Sequence, residues 1–151
     1  MTAPAPTHGV RERTLGYLLA DTLRLLRQDF AARARGLDLT PALARLLFQV
    51  DREPGACQAE LAARLEVTPA TLGRMVDRLV ARGYLRRSAD AGDRRAFRVH
   101  LDQAGEAVLG ELVRIRLQTE GRATLGFSAE DRARLTEQLA RLCDNLTDGR
   151  A

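Results

Sequence analysis

The residues best equipped for chemistry in this chain are its arginines. All 24 basic residues are arginine and none is lysine. Every cation is therefore a planar fork able to grip a phosphate, or the edge of a guanine, at two points. The forks are unevenly spread. From Arg74 to Arg98 there are eight arginines against three acidic residues, while residues 102–151 hold seven arginines against nine acids. An anionic partner would meet the middle of the chain and not its C-terminal third.

Other chemistries lack their parts. Cys57, Cys143, His8 and His100 have no metal-ligand spacing, so neither a metal nor a cofactor is expected. There is no nucleophile–base pair, carboxylate dyad or phosphate loop, which argues against an enzyme. His100 alternates outward with Arg98 on a predicted strand, a place for solvent or phosphate contact. Cys57 stands at a predicted helix N-terminus, where a thiol can be activated, so redox sensing through Cys57 stays as an alternative. No apolar run approaches the ~20 residues of a membrane span, and no secretory signal is evident. A cytoplasmic protein with no membrane contact is expected.

Thr68 to Gly83 is the stretch able to present arginines to a groove. Thr68 can N-cap a helix, Pro69 suits its first position, and Gly83 offers a left-handed stop. Leu72, Val76 and Leu79 fall at helical spacing and predict one buried stripe. Thr71, Gly73, Arg74, Asp77, Arg78 and Arg82 fall on the other side. Taken alone, that face suits either a groove lined with phosphates or plain solvent.

Its neighbours decide between them. Gln58 to Leu65 reads as a short helix, with Cys57 at the N-cap and Glu60 as the far half of a capping box. Only Glu66 and Val67 separate it from Thr68, which makes a helix-turn-helix. Beyond Gly83 the hydrophobic period changes to two. Residues 84–88 and 96–101 read as strands, with Phe97, Val99 and Leu101 facing inward, joined by a turn-rich loop ending in Arg94 and Arg95.

Helices flank this unit on both sides. Leu15, Leu18, Leu19, Thr22, Leu26 and Phe30 mark a helix over roughly residues 12–34, ended by Gly36. Thr40-Pro41 opens a second, carrying Leu43, Leu46, Leu47 and Val50. Asp102 caps a long helix reaching about residue 125, striped by Val108, Leu112, Ile115 and Thr119 and widened by Leu109 and Leu125. Ser128 and Asp131 open the last helix, where Leu135, Leu139, Leu142 and Leu146 form a coiled-coil-like seam. That seam is too long for one small domain to cover. A partner chain is the expected cover, and folding back onto the first helix is the alternative. With aromatic content of only 4%, the core must be mostly Leu, Ala and Val. The fold class is mainly α with a small β-hairpin wing: a winged helix-turn-helix flanked by N- and C-terminal helices.

In this order the segments resemble the MarR family of bacterial transcription regulators. The resemblance spans about residues 12–147 and rests on residues 58–65, 68–83 and 90–102. It implies a homodimer on double-stranded DNA, with the first and last helices interlocked. The expected divisions are a tail at 1–9, an N-terminal dimerisation helix at 10–37, a winged helix-turn-helix at 38–101 and C-terminal dimerisation helices at 102–151. The helix at Pro69 would enter a major groove and the wing a minor groove of a pseudo-palindromic operator. Many members are repressors released by small aromatic or phenolic ligands, which makes such an effector an expected partner.

Carried onto this sequence, the resemblance makes Ala70, Thr71 and Arg74 the base-edge candidates, with Arg74 on a guanine. Thr68 and Arg78 would reach phosphate, and Gln58 would touch phosphate or cap its helix. Arg94 and Arg95 would form the wing tip, one of them in the minor groove. Asp93 would steady an arginine or cap the turn. Phe30, Phe48 and Arg86 would line an effector pocket, unless the aromatics simply pack in the core. The sequence departs from the family pattern at Gly92, Gly73 and Glu66. The last stands where glycine is usual, and a left-handed Glu66 would cost on the order of 1 kcal/mol.

Overall fold

The apolar stripes converge on one leucine-rich core. The computed structural model describes residues 14–93 and 96–148, so the predicted tail at 1–9 lies outside it. Helix α1 (Leu15–Arg33) runs into a 3-10 turn (Ala34–Leu37), followed by α2 (Pro41–Arg52), α3 (Gln58–Leu65) and α4 (Pro69–Ala81). The strands β1 (Leu85–Ala89) and β2 (Phe97–Leu101) precede α5 (Gln103–Ala123) and α6 (Ala129–Asp148). Caps written in the sequence open these helices. Thr40 and Thr68 accept the N–H groups of Leu43 and Thr71, and Ser128 and Asp131 bond reciprocally.

Four helices and the hairpin share the core. Leu43, Leu46, Leu47 and Val50 from α2 meet Leu61 and Leu65 from α3 and Leu72, Val76 and Leu79 from α4. Leu85 and Val99 close it from the hairpin, and Leu109 and Leu112 from α5. Burying each such side chain is worth about 1.5–3 kcal/mol, so the stripe on α4 fixes which face of that helix is left outside.

The hairpin is antiparallel, pairing Leu85 with Leu101, Arg87 with Val99 and Ala89 with Phe97. A third short segment joins it: Gly55 N–H donates to Val99 C=O, and Val99 N–H to Ala56 C=O, each at 3.1 Å. Glycine is required at 55, where φ is +79° and a Cβ would press on the His100 ring at 3.2 Å.

The root of the hairpin is tighter still. Buried Gly105 lies so close to Tyr84 that a Cβ would fall 1.9 Å from its carbonyl oxygen. The same oxygen accepts the N–H of Asp102 at 3.0 Å. No side chain fits between α5 and that carbonyl.

The structure corrects several expectations. Gly36 does not end the first helix; the chain continues through the 3-10 turn to Asp38, whose φ of 48° makes the left-handed stop. Phe97 is 47% exposed, because its partner is Ala89 at the far end of the hairpin, beyond the core. His100 does not face out freely. It is half-buried, with its Nε2 2.9 Å from Ser88 Oγ. Leu125 widens no stripe, since α5 stops at Ala123 and Leu125 is 84% exposed.

The flanking helices are the least covered. Leu15, Leu18, Leu19, Leu23 and Leu25 of α1 are exposed, and so are Leu135, Leu139 and Leu146 of α6. The leucine seam of α6 therefore does not fold back onto α1. Helix α1 is tied to α5 through Asp29, a carboxylate only 16% exposed. Asp29 accepts from Arg33 Nε at 2.6 Å, from Thr119 Oγ1 at 2.9 Å, and from Arg122. The Arg33 bond above all, then those from Thr119 and Arg122, hold its pKa at about 2 against the opposing effect of desolvation.

A carboxyl whose pKa is lowered by folding stabilises the fold fully above its unfolded value, near 3.8, and that contribution is lost as pH falls toward the folded value. Asp29→Asn is expected to melt at a lower temperature than the parent at neutral pH. The gap should narrow between about pH 4 and pH 2, as read from thermal melts across that range. A gap that stays constant with pH would refute this account.

Candidate nucleic-acid interface

The interface is built around the turn between α3 and α4. Helix α3 ends in a left-handed Glu66 at φ 56°, whose N–H bonds Ala63 C=O, while Val67 N–H bonds Ala62 C=O. Leu61, Ala62 and Leu65 are buried on one side of this turn and Leu72, Val76 and Leu79 on the other. At its opposite end α3 is capped by Glu60, which accepts the N–H of Cys57 at 2.8 Å. That bond, above all other influences, keeps the Glu60 carboxyl below the usual range. Cys57 itself is half-buried, Cys143 is exposed, and neither is in a disulfide.

Burial of the apolar stripe leaves Thr68, Ala70, Arg74, Asp77 and Arg78 exposed and Thr71 and Gly73 half-exposed. A relay of hydroxyls orders the first turn. Thr68 Oγ1 accepts Thr71 N–H at 3.2 Å and bonds Thr71 Oγ1 at 3.0 Å. Thr71 Oγ1 in turn accepts Arg74 Nη2 at 3.3 Å. At Gly73 nothing lies within 4 Å of an added Cβ, so the outer surface of α4 is open backbone there.

Gln58 caps nothing; its amide oxygen accepts Arg87 Nε at 3.1 Å. Arg87 reaches onward from β1 to Asp77 on α4, at 2.6 Å. In the wing it is Asp90 that orders the loop, accepting the N–H groups of Gly92 and Asp93 and pairing with Arg98 at 2.7 Å. The Gly92 bond is the largest of the influences that lower the Asp90 carboxyl. Arg98 also donates to Gly55 C=O at 2.7 Å. Arg94 and Arg95 lie outside the described residues. At the other end of α4, Arg82 donates to both the carbonyl (2.6 Å) and the carboxylate (2.9 Å) of Asp38.

A separate cavity of about 380 Å³ opens between α1, α2 and α5. Phe30 and Phe48 line it, with ring centroids 6.2 Å apart. Arg116 lies over the Phe48 ring at 5.7 Å, and Arg27, Arg45 and Glu120 stand at the margin. Arg86 does not line this cavity; it is exposed on β1. Among the described residues no cluster of His, Cys, Asp and Glu could hold a metal ion.

The roles of Arg82, Arg87 and Arg98 were not readable from spacing, since each partner stands 8 to 44 positions away. A weak signal was present in alternation: Arg87 and Val99 are register partners on the core side of the hairpin, an unusual position for a cation without a dedicated acceptor.

A tight helix-turn-helix followed by a two-stranded hairpin wing defines the class as winged helix-turn-helix. A model of the MarR family matches residues 37–96. Across almost the whole length, the chain is similar to a crystal structure of MarR, with TM-score 0.83 and 27% identity, covering 95% of this chain and 98% of that one. It is also similar to wild-type MarR in its apo form from E. coli, with TM-score 0.78, 25% identity and coverage of 88% and 98%. A third match is the transcriptional repressor CouR bound to a 23-mer DNA duplex, with TM-score 0.74, 29% identity and coverage of 86% and 92%. Residues 37–96 thus match the MarR family, and along most of its length the chain is similar to solved MarR-type transcription regulators.

The left-handed Glu66 gives a direct check on the turn. Glu66→Gly removes a side-chain penalty of about 1–2 kcal/mol and adds backbone entropy to the unfolded chain. The net expectation is a gain of about 0.5–1 kcal/mol in denaturant unfolding. A loss of stability would show that the Glu66 side chain supplies something its backbone geometry does not.

Proposed function

We propose that the protein is a homodimeric cytoplasmic repressor that binds a pseudo-palindromic operator in double-stranded DNA and is released by a small aromatic or phenolic effector. The observation that carries this reading is the exposed face of α4. It offers small residues at Ala70 and Gly73 and forks at Arg74 and Arg78, directly after a tight turn and beside a basic hairpin. Small side chains let a helix approach base edges, and Arg74 is the side chain long and forked enough to take a guanine in two places. Thr68 and Arg78, at the margins, suit phosphate, which sets register without reading sequence. Arg94 and Arg95 suit a narrow minor groove, where negative potential is concentrated. CouR, similar over most of its length, is a transcriptional repressor whose structure is of the complex with a 23-mer DNA duplex.

The exposed leucines of α1 and α6 support the dimer. Two such seams from each of two copies would cover one another, and two-fold symmetry would then space the α4 helices for half-sites about one helical turn apart. No helix among the described residues is long and apolar enough to cross a membrane. The cavity beside Phe30 and Phe48 has apolar walls for a ring and arginines at its margin for an acidic or phenolate group. It lies where α1 meets the winged lobe, so a ligand there can favour one lobe spacing over another, provided it binds the two unequally.

The test starts with sedimentation of the purified protein and selection of duplexes from a randomised pool. A dimer, a two-fold-related motif and a steep fall of affinity with salt are expected. A monomer with no enriched motif and a flat salt response would overturn the reading. Within it, Arg74→Ala should cost about 1–3 kcal/mol of discrimination between the selected and random duplexes. Arg94→Ala should weaken both about equally and lower the salt slope by about one. Competition titrations at several salt concentrations separate the two effects, and the reverse pattern would refute the division of labour.

A further inference from the structure

Arg87 is the side chain on which three parts of the interface close: α3 through Gln58, α4 through Asp77, and the wing through its own strand. Its partner Asp77 is the one acidic residue on α4. Its side chain is 65% exposed, on the same helix as Arg74 and Arg78. Side chains three and four positions apart on a helix are neighbours. For Asp77 these are Gly73, Arg74, Val80 and Ala81, so Arg74 is the only charged one.

Acid–arginine pairs three apart do form elsewhere in this chain, between Asp21 and Arg24 and between Glu111 and Arg114. Arg74 and Asp77 have the spacing in the reverse order, arginine first, an order that also pairs at Arg116 and Glu120, and they do not pair. Arg74 bonds Thr71 instead, and the Asp77 carboxylate is occupied by Arg87 at 2.6 Å. The arginine of this pair is only 28% exposed, against 55% and 58% in the two helical pairs. Asp77, at 65%, is as open to solvent as Asp21 at 66%, so the shielded side of the pair is Arg87. Gln58 holds the fork from behind, so Arg87 is already aimed when it meets Asp77.

We infer that Arg87 is a positioning residue for sequence reading: by engaging Asp77 it keeps that carboxylate from capturing Arg74, and so leaves the Arg74 fork free for a base edge. This rests on the DNA-binding reading above. Without Arg87, Asp77 has one cation within helical reach, and that cation is the residue needed in the groove. A bare carboxylate on the groove face would also repel phosphate.

The experiment compares the parent, Arg87→Ala, Asp77→Asn and the double variant on the duplex best retained from a randomised pool and on a random duplex, at several salt concentrations. Arg87→Ala should lose about tenfold or more of the ratio between the two, the range one arginine–guanine pair supplies. Asp77→Asn alone should keep the parental ratio. The double variant should return to it, because there is then no carboxylate to capture Arg74. If Arg87 simply touches phosphate, its loss will weaken both duplexes alike and lower the salt slope, and Asp77→Asn will rescue nothing; that result overturns the inference. Should Arg87→Ala lower the melting temperature, Asp77→Asn decides alone, since a loss of discrimination there is incompatible with a merely guarded carboxylate. Failure of the parent to enrich any duplex would instead sink the DNA-binding reading itself.

Discussion

Much of this structure hangs on one backbone carbonyl, that of Tyr84. The residue before it, Gly83, takes the left-handed φ of 69° that lets α4 stop, and the residue after it starts the wing. The carbonyl accepts the first N–H of the approach to α5 and is overlain by Gly105. The end of the groove-facing helix, the root of the hairpin and the start of the long helix are thereby set at one point. A chain with four phenylalanines, two of them exposed, and no tryptophan has little bulk with which to bridge a wider gap, so close approach takes the place of large side chains.

The arginines divide by what surrounds them. Arg82, Arg87 and Arg98 are committed to carboxylates and carbonyls that join separate elements. Arg33 and Arg122 converge on Asp29 to join α1 and α5. Arg74 and Arg78 make no ion pair among the described residues and point outward from α4. A chain built only with planar forks can use the same side chain for both tasks. The bidentate geometry that suits a guanine edge also suits a carboxylate or a bent stretch of backbone. Which task a given arginine performs depends on the acceptors the fold places near it.

That dependence explains what the sequence could and could not disclose. The helices, their caps at Thr40, Thr68, Asp102 and Ser128, and the two-residue turn were legible, because each is written in neighbouring residues. The buried stripe of α4 was legible by its period, and with it the outward face. Phe97 misled because alternation gives the face of a strand but not how far the core extends along it. Gly36 misled because a 3-10 turn has no stop signal that separates it from the helix before it. Asp90 and Asp93 look alike in a turn-rich loop, and only the folded geometry makes Asp90 the residue that meets Arg98. The ties of Arg82 and Arg87 join residues far apart in the chain, and no local pattern announces them.

The hold of Arg82 on Asp38 has a mechanical side. One guanidinium grasps both the carbonyl and the carboxylate of a single left-handed residue. That residue is the elbow between the 3-10 turn after α1 and the start of α2. The far end of α4 therefore cannot slide along its axis without pulling that elbow or breaking two bonds together. Tilt of the first helix and travel of the groove-facing helix become a single degree of freedom, a crank rather than two independent joints.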